Sequence, residues 1–167
     1  MSVYKLIKKR RSIRSFLDKP VEYYKIKNIL ESGRWAPSGL NNQPWRFVVV
    51  RNKIIKEKLS SCTEYAYIVK KSRCLILVFL DKKNSYNLKK DILAIGACVE
   101  NMILCATDLG LASCWLGEIL NKKNKVNRIL GIRSRFDLMA VITLGYSQKK
   151  AKSKRILLDK LLLKEFR

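Results

Sequence analysis

The residues of this chain that can do chemistry fall into four blocks. The first is Arg10-Arg11-Ser12-Ile13-Arg14-Ser15-Phe16. Guanidinium forks with a hydroxyl between them suit a phosphate, because each fork can donate two parallel hydrogen bonds to an oxyanion. The second is Ala36-Pro37-Ser38-Gly39-Leu40-Asn41-Asn42-Gln43-Pro44-Trp45, whose side-chain amides offer paired donors and acceptors to a ring or a polyol. The third is Gly110-Leu111-Ala112-Ser113-Cys114-Trp115-Leu116-Gly117. Here Gly110 reads as a helix cap, and Gly117 as a point where a backbone N–H can approach a flat ligand closely. The fourth is Gly145-Tyr146 followed by Lys149, Lys150, Lys152, Lys154 and Arg155, a second cationic arm. Taken singly, each block has a plain alternative: a basic surface turn, a connecting loop, ordinary turn glycines, a solvated linker.

What is missing narrows the chemistry further. The chain has no histidine. That excludes a Ser-His-Asp triad, a Cys-His dyad and an HExxH zinc site, and leaves a cofactor enzyme or a non-enzyme. The 5 cysteines are odd in number and show no CxxC spacing, so free thiols in a reducing cytosol are expected and a metal site is not. The net charge of +23 would attract polyanions. The basic residues, however, are spread along the whole chain, and neither an aromatic RNA-binding pattern nor a helix-turn-helix accompanies them. Nucleic-acid binding therefore ranks last among the functions considered. Residues 1–17 are charged throughout, so no signal peptide is expected. The most apolar stretch, 92–109, is broken by Glu100, Asn101 and Asp108 and reads as a buried helix, not a membrane span. A cytoplasmic location is expected.

The elements that must hold the four blocks follow from periodicity. A length of 167 residues suits one domain over 1–167. The pattern predicts helices over 3–9 and 22–33, the latter with Ile26, Ile29, Leu30 and Gly33 on one face. It predicts a loop over 35–45, a strand over 46–51 and a helix over 53–59. The continuous apolar run 74–80 reads as a central strand buried on both faces. A short polar connection over 82–90 leads to a long helix over 91–109, apolar nearly all round, in the middle of the protein or of a dimer interface. A strand over 112–116, a helix over 123–130 capped by Gly131 and a buried strand over 138–146 complete the order. The class is α+β, an α/β sandwich. No GxGxxG follows a strand, so a Rossmann site is not supported. The tail 156–166 is apolar on one face and is expected to wrap onto a partner subunit.

In this order, the four blocks resemble the FMN-dependent nitroreductase family, and the likeness spans Arg10 to Arg155. That family shows an RRSxR-type opening, an AP-S-x-x-N-x-QPW-like loop, a long central helix, a GL-x-S-x-W-x-G segment and a late GY with basic residues. The resemblance implies a mostly antiparallel central sheet flanked by helices, with residues 155–167 exchanged onto the partner of a homodimer. It implies that Arg10 and Ser12, with Arg11, bind the phosphate and ribityl chain of FMN. Arg14 would lie near the flavin N1 and O2 edge, where a fixed cation stabilises the charge of reduction. Pro37, Ser38, Gly39 and Asn41 would reach the site from the other subunit. Leu116 and Gly117 would lie near N5, and Lys154 and Arg155 would complete the phosphate site. Gln43 also matches a motif position. Glu118 departs from the family, where many relatives carry glycine or an apolar residue. The implied activity is ping-pong transfer from NAD(P)H through the flavin to a nitroaromatic, quinone or similar small-molecule acceptor, with no protein nucleophile. The short 82–90 connection replaces helices that cover the flavin in longer relatives, and implies an open, promiscuous site. The alternative is a flavin-binding redox partner without turnover.

Overall fold

The structure, a computed structural model, describes residues 2–167. Its centre is strand β2 (Cys74–Asp81), buried at every position. Apart from its terminal Asp81, its side chains are apolar on both faces, so the strand requires cover above and below. It pairs antiparallel with β1 (Trp45–Val50) on one side and β4 (Phe136–Gly145) on the other. The far side of β4 takes β3 (Ala112–Leu116), also antiparallel, giving the order β1-β2-β4-β3.

Alternation along the strands divides the core in two. Ile76, Val78 and Leu80, with Ala140, Ile142 and Leu144, face α2 (Tyr23–Arg34) and α5 (Leu88–Asp108). Leu75, Leu77 and Phe79, with Val141, face α3 (Lys53–Ser60), α4 (Ala66–Lys71) and α6 (Lys123–Leu130). Between Val78 and Phe79 the β4 partner jumps from Ala140 to Leu138, so Met139 is an extra residue. This bulge turns Leu138 into the second core. The helix–sheet–helix layering and the antiparallel sheet agree with the expected α+β class.

Helix α5 runs for 21 residues. Ala94, Ile95, Cys98, Val99, Met102, Ile103 and Ala106 are buried, whereas Leu88, Ile92 and Leu93 stand exposed. In one protomer the helix therefore buries one face and leaves apolar side chains open on another. Helix α2 lies close against it: a Cβ on Gly33 would fall 2.7 Å from Met102 Cγ. The expected glycine caps are present, with Gly110 at φ 75° and Gly131 at φ 65°.

Several boundaries differ from the sequence expectation. Strand β1 begins and ends one residue earlier than 46–51, and β4 begins at Phe136, two residues before the expected start at Leu138. Glu22 precedes α2 as its N-cap residue instead of sitting in its first turn. Helix α5 begins at Leu88 because the Asn87 side chain accepts from Lys90 N and starts the helix there. Helix α4 and the 3-10 turns Lys82–Asn84 and Glu118–Lys122 were not anticipated.

All five cysteines are free; Cys62, Cys74, Cys98 and Cys114 are buried and Cys105 is half-buried. Burial pushes the Cys74 and Cys98 thiols up to about 12. Among the described residues no helix is long and apolar enough to cross a membrane. From Gln148 onward every residue is exposed, and the only regular element is a 3-10 turn at Leu158–Lys160. Leu157, Leu158, Leu163 and Phe166 are at least two-thirds exposed, which leaves this apolar tail without cover inside the protomer.

Candidate functional site

The first block is fixed by backbone pairing. Arg10 is the C-cap of α1 (Val3–Lys9). Ser12 then forms a parallel bridge with Ser113, and Ile13 N donates to Ser113 O at 2.8 Å. This covers the free edge of β3, which would otherwise present unpaired N–H and C=O groups. Further on, Leu17 N donates to Tyr146 O at 2.8 Å. Phe16 packs on Gly145 so closely that a Cβ there would lie 2.8 Å from its ring. The first, third and fourth blocks thus meet at the β3 side of the sheet within one protomer.

This docking places Arg14 in a cleft of about 250 Å³ with Leu116, Gly117, Glu118, Cys114, Trp115 and Tyr65. Arg11 lines a neighbouring basic cleft of about 470 Å³ with Lys8, Lys9, Thr107, Lys149 and Lys150. It also lines a further cleft of about 580 Å³ formed with Ala151, Lys152, Ser153 and Lys154. The Arg11 guanidinium donates to Lys8 O and Arg10 O, both at 2.6 Å, and so holds the end of α1. Arg10 is largely covered and lies 3.8 Å from the Glu100 carboxylate. Arg155 is exposed; it donates to Lys154 O at 2.9 Å and to the Ser153 hydroxyl. Lys154 is brought to Arg11, while Arg155 contacts only its own segment.

The second block lies elsewhere. Pro37 and Asn41 are exposed and Ser38 and Gly39 half-buried, in a loop anchored to the start of α5. Ser38 Oγ accepts from Gln43 N at 3.0 Å, and the Asn42 side chain donates to Asp91 Oδ1 at 2.8 Å. Asp91 is fully buried and also accepts from the Ser85 hydroxyl at 2.7 Å and from Tyr86 N at 3.1 Å. Burial pushes its carboxyl upward, but the donors Ser85, Asn42, Asn87 and Tyr86 outweigh that and hold it below the usual aspartate value. Leu40, Asn41 and Gln43 have φ of 54°, 52° and 45°, the only positive values at non-glycine residues among those described. Such a backbone costs on the order of 1–3 kcal/mol per residue and persists only where its surroundings fix it. Gly39 has a packing reason of its own: a Cβ would fall 1.8 Å from the Tyr86 hydroxyl.

Asp91, beside this loop, and Thr107, beside the basic cleft, lie about 24 Å apart along α5 at 1.5 Å per residue. The cleft lined by Arg11 and Ile13 thus lies at the C-terminal end of α5, beside Thr107, and Arg10 reaches Glu100 in the middle of that helix. The loop of Pro37, Ser38, Gly39 and Asn41 lies by its N-terminal end, tied to Asp91 through Asn42.

Glu118 has a clear local task. Its carboxylate accepts from Thr63 Oγ1 at 2.5 Å and Glu64 N at 3.0 Å, and the Thr63 bond above all lowers its pKa. It ties the turn before α4 to the end of β3, which is how Tyr65 comes to line the Arg14 cleft. Tyr65 was not anticipated, because nothing local links residues 63–65 to Glu118. Cys114, also in the cleft, is kept a thiol by burial, although Arg14 pulls its pKa the other way.

The Nitroreductase family model matches residues 7–64 and 56–146 of this chain, a span that contains the first three blocks and the Gly145-Tyr146 start of the fourth. The chain belongs to the nitroreductase family. The chain is 33% identical over 145 residues to an Archaeoglobus fulgidus protein named "Putative NADH dehydrogenase/NAD(P)H nitroreductase", covering 85% of this chain and 83% of that one. A Desulfovibrio desulfuricans "putative nitroreductase" solved in complex with FMN has a TM-score of 0.96 and 42% identity, covering 99% of this chain and 97% of that one. An FMN-dependent nitroreductase from Clostridium difficile has a TM-score of 0.86 and 26% identity, covering 98% of this chain and 100% of that one. The basic arm and the tail of this nitroreductase-family chain lie beyond the family model but within the span shared with the D. desulfuricans structure.

Proposed function

We propose that this chain is an FMN-dependent oxidoreductase that accepts reducing equivalents from NAD(P)H and passes them to a nitroaromatic, quinone or similar small acceptor in a ping-pong scheme. The observation that carries this reading is the Ser12–Ser113 bridge, which puts Arg14 opposite the Leu116–Gly117 backbone in one cleft and Arg11 beside Lys154 in a basic one. A flat ring with a phosphorylated tail matches that pairing of a narrow cleft and a cationic one. The resemblance to an FMN complex over nearly the whole chain supports the same ligand.

FMN, when bound, supplies the two-electron step, so the protein need only bind, orient and polarise. Arg10, Ser12 and Lys154 would hold the phosphate and ribityl chain, with Arg11 and Arg155 adding positive charge. Arg14 would set a fixed cation at the edge of the ring that becomes negative on reduction, a role that requires no proton transfer. The backbone at Leu116 and Gly117 would flank the reacting edge. The absence of histidine and the protonated state of Cys114 are compatible with this division of labour.

The proposed oxidoreductase is a homodimer, in which Pro37, Ser38, Gly39 and Asn41 complete the site from a second copy; in their own protomer they line neither the Arg11 nor the Arg14 cleft. The exposed tail, 155–167, is the natural arm to reach it. Strand β1 has a free outer edge, and beside it Tyr23, Val48, Val50, Ile55, Ile129 and Leu130 line an apolar groove of about 540 Å³. An apolar arm laid along that edge would cover both. The test is direct. Purified protein should show the absorption of oxidised flavin, bleach anaerobically with NADH or NADPH, and recover with a quinone or nitroaromatic. Colourless protein that cannot be loaded with FMN would sink the reading. Flavin that no nicotinamide reduces would favour a redox partner without turnover.

A further inference from the structure

Away from the Arg14 and Arg11 clefts, a cavity of about 540 Å³ opens where the end of β1, the start of α3, the end of α4 and the approach to α2 meet. Its charged lining is Arg51, Lys53, Lys56, Lys70, Arg73 and Asp18. Two of the cations are neutralised: Lys70 lies 2.6 Å from Glu57, and Arg73 lies 2.5 Å from Asp18. Arg51, Lys53 and Lys56 form no ion pair among the described residues. Arg51 makes one long hydrogen bond, 3.4 Å to Val21 O.

Lys56 is the unusual member. It is only 6% exposed, and its Nζ donates to Ser72 O at 2.5 Å, where it caps the end of α4. That carbonyl can satisfy one of three ammonium donors. Burial lowers the Lys56 pKa, and Arg73 and Lys53 lower it further. A buried cation with cationic neighbours and no carboxylate paired to it is costly unless an anion joins it.

We propose that this cavity is a second anion site, which binds a phosphate dianion between Lys56, Arg51 and Lys53, carried by a small phosphorylated molecule or free as inorganic phosphate. A dianion balances two of the three unpaired cations, and a guanidinium beside two ammonium groups offers the fork and point charges that phosphate recognition uses. The volume lies in the range of small-molecule sites, so there is room for more than a bare ion. The site does not depend on the flavin reading, since it shares no lining residue with the clefts around Arg11 and Arg14.

The experiment titrates FMN-saturated protein with inorganic phosphate and, separately, with glycerol phosphate at constant ionic strength, by calorimetry. Saturating FMN keeps the cofactor's phosphate site occupied. The expected result is one further site per chain for at least one probe. Lys56→Met should weaken it at least tenfold, and so should Arg51→Gln with Lys53→Gln. The rim pair is exposed, so it tests the site even if Lys56→Met fails to fold. FMN affinity should stay unchanged in the rim variant. No second site for either probe, or a site indifferent to both variants, would overturn the proposal. If the protein takes no FMN, the same titration of protein as purified, with Arg10→Ala in parallel, still decides between the two sites.

Discussion

Two basic segments of this chain have similar composition and very different fixation. Residues 10–14 are zipped to the sheet edge: Ser12 bridges Ser113, Ile13 N bonds Ser113 O, and Phe16 is seated on Gly145. Residues 149–155 bond to nothing beyond Ser147 and their own segment, through Lys149 N to Ser147 Oγ and Arg155 to Ser153 and Lys154 O, and stay exposed. The difference teaches that positive charge alone does not define a site. The first segment is preorganised, so an anion meets its donors in place. The second must give up side-chain freedom on binding, which costs about 0.5–1.5 kcal/mol for each long side chain immobilised.

The largest expected effect tests whether the second segment and its tail act across subunits. Deleting residues 156–167 should convert the proposed dimer to monomer and lower FMN affinity more than a hundredfold, read by sedimentation and flavin fluorescence. An unchanged dimer would mean that the tail serves its own protomer. Next, Arg14→Ala should lower FMN affinity roughly ten- to hundredfold, the worth of a hydrogen bond from a charged group. It should also lower the two-electron potential by about 30 mV or more. Arg10→Ala should weaken FMN more than Arg155→Ala does, because only Arg10 is held in advance. Equal losses would erase the contrast between the segments. Gly145→Ala should force Phe16 away and destabilise the fold by about 1–3 kcal/mol, measured by chemical denaturation.

The smallest effect concerns the loop at the far end of α5. Asp91→Asn should cost about 1–2 kcal/mol at neutral pH. The folded pKa of Asp91 lies below its unfolded value, so its contribution is present above the ordinary aspartate range. It fades as pH falls through the lower folded pKa. The variant should therefore lose less stability than the wild type between neutral pH and pH about 3.

Where local pattern decides structure, the sequence was readable. The run 74–80 reads as a doubly covered strand and is one, and Gly110 and Gly131 closed their helices as their freedom at positive φ predicts. Where a distant contact decides, it was not. Helix α4 is short, preceded by Tyr65 as its N-cap residue, and held by a bond from Thr63 to a carboxylate far along the chain. The left-handed turns at Leu40 and Gln43 carry no residue signal, because neither type favours them. The early start of α5 did have one, in Asn87 as a cap. For the candidate site, block order made the flavin resemblance visible. The third dimension was needed to see that the Asn41 loop packs at the start of α5 and lines neither the Arg11 nor the Arg14 cleft.

Strand β3 is sheathed by the chain's own Ser12, while β1 keeps a bare margin. In the proposed homodimer a newly made copy would therefore carry one reactive seam until its mate arrives, and during that interval any extended stranger could occupy it. Renaturation yield should consequently pass through a maximum with protein concentration: too dilute and mates rarely meet, too crowded and the seam recruits the wrong neighbour.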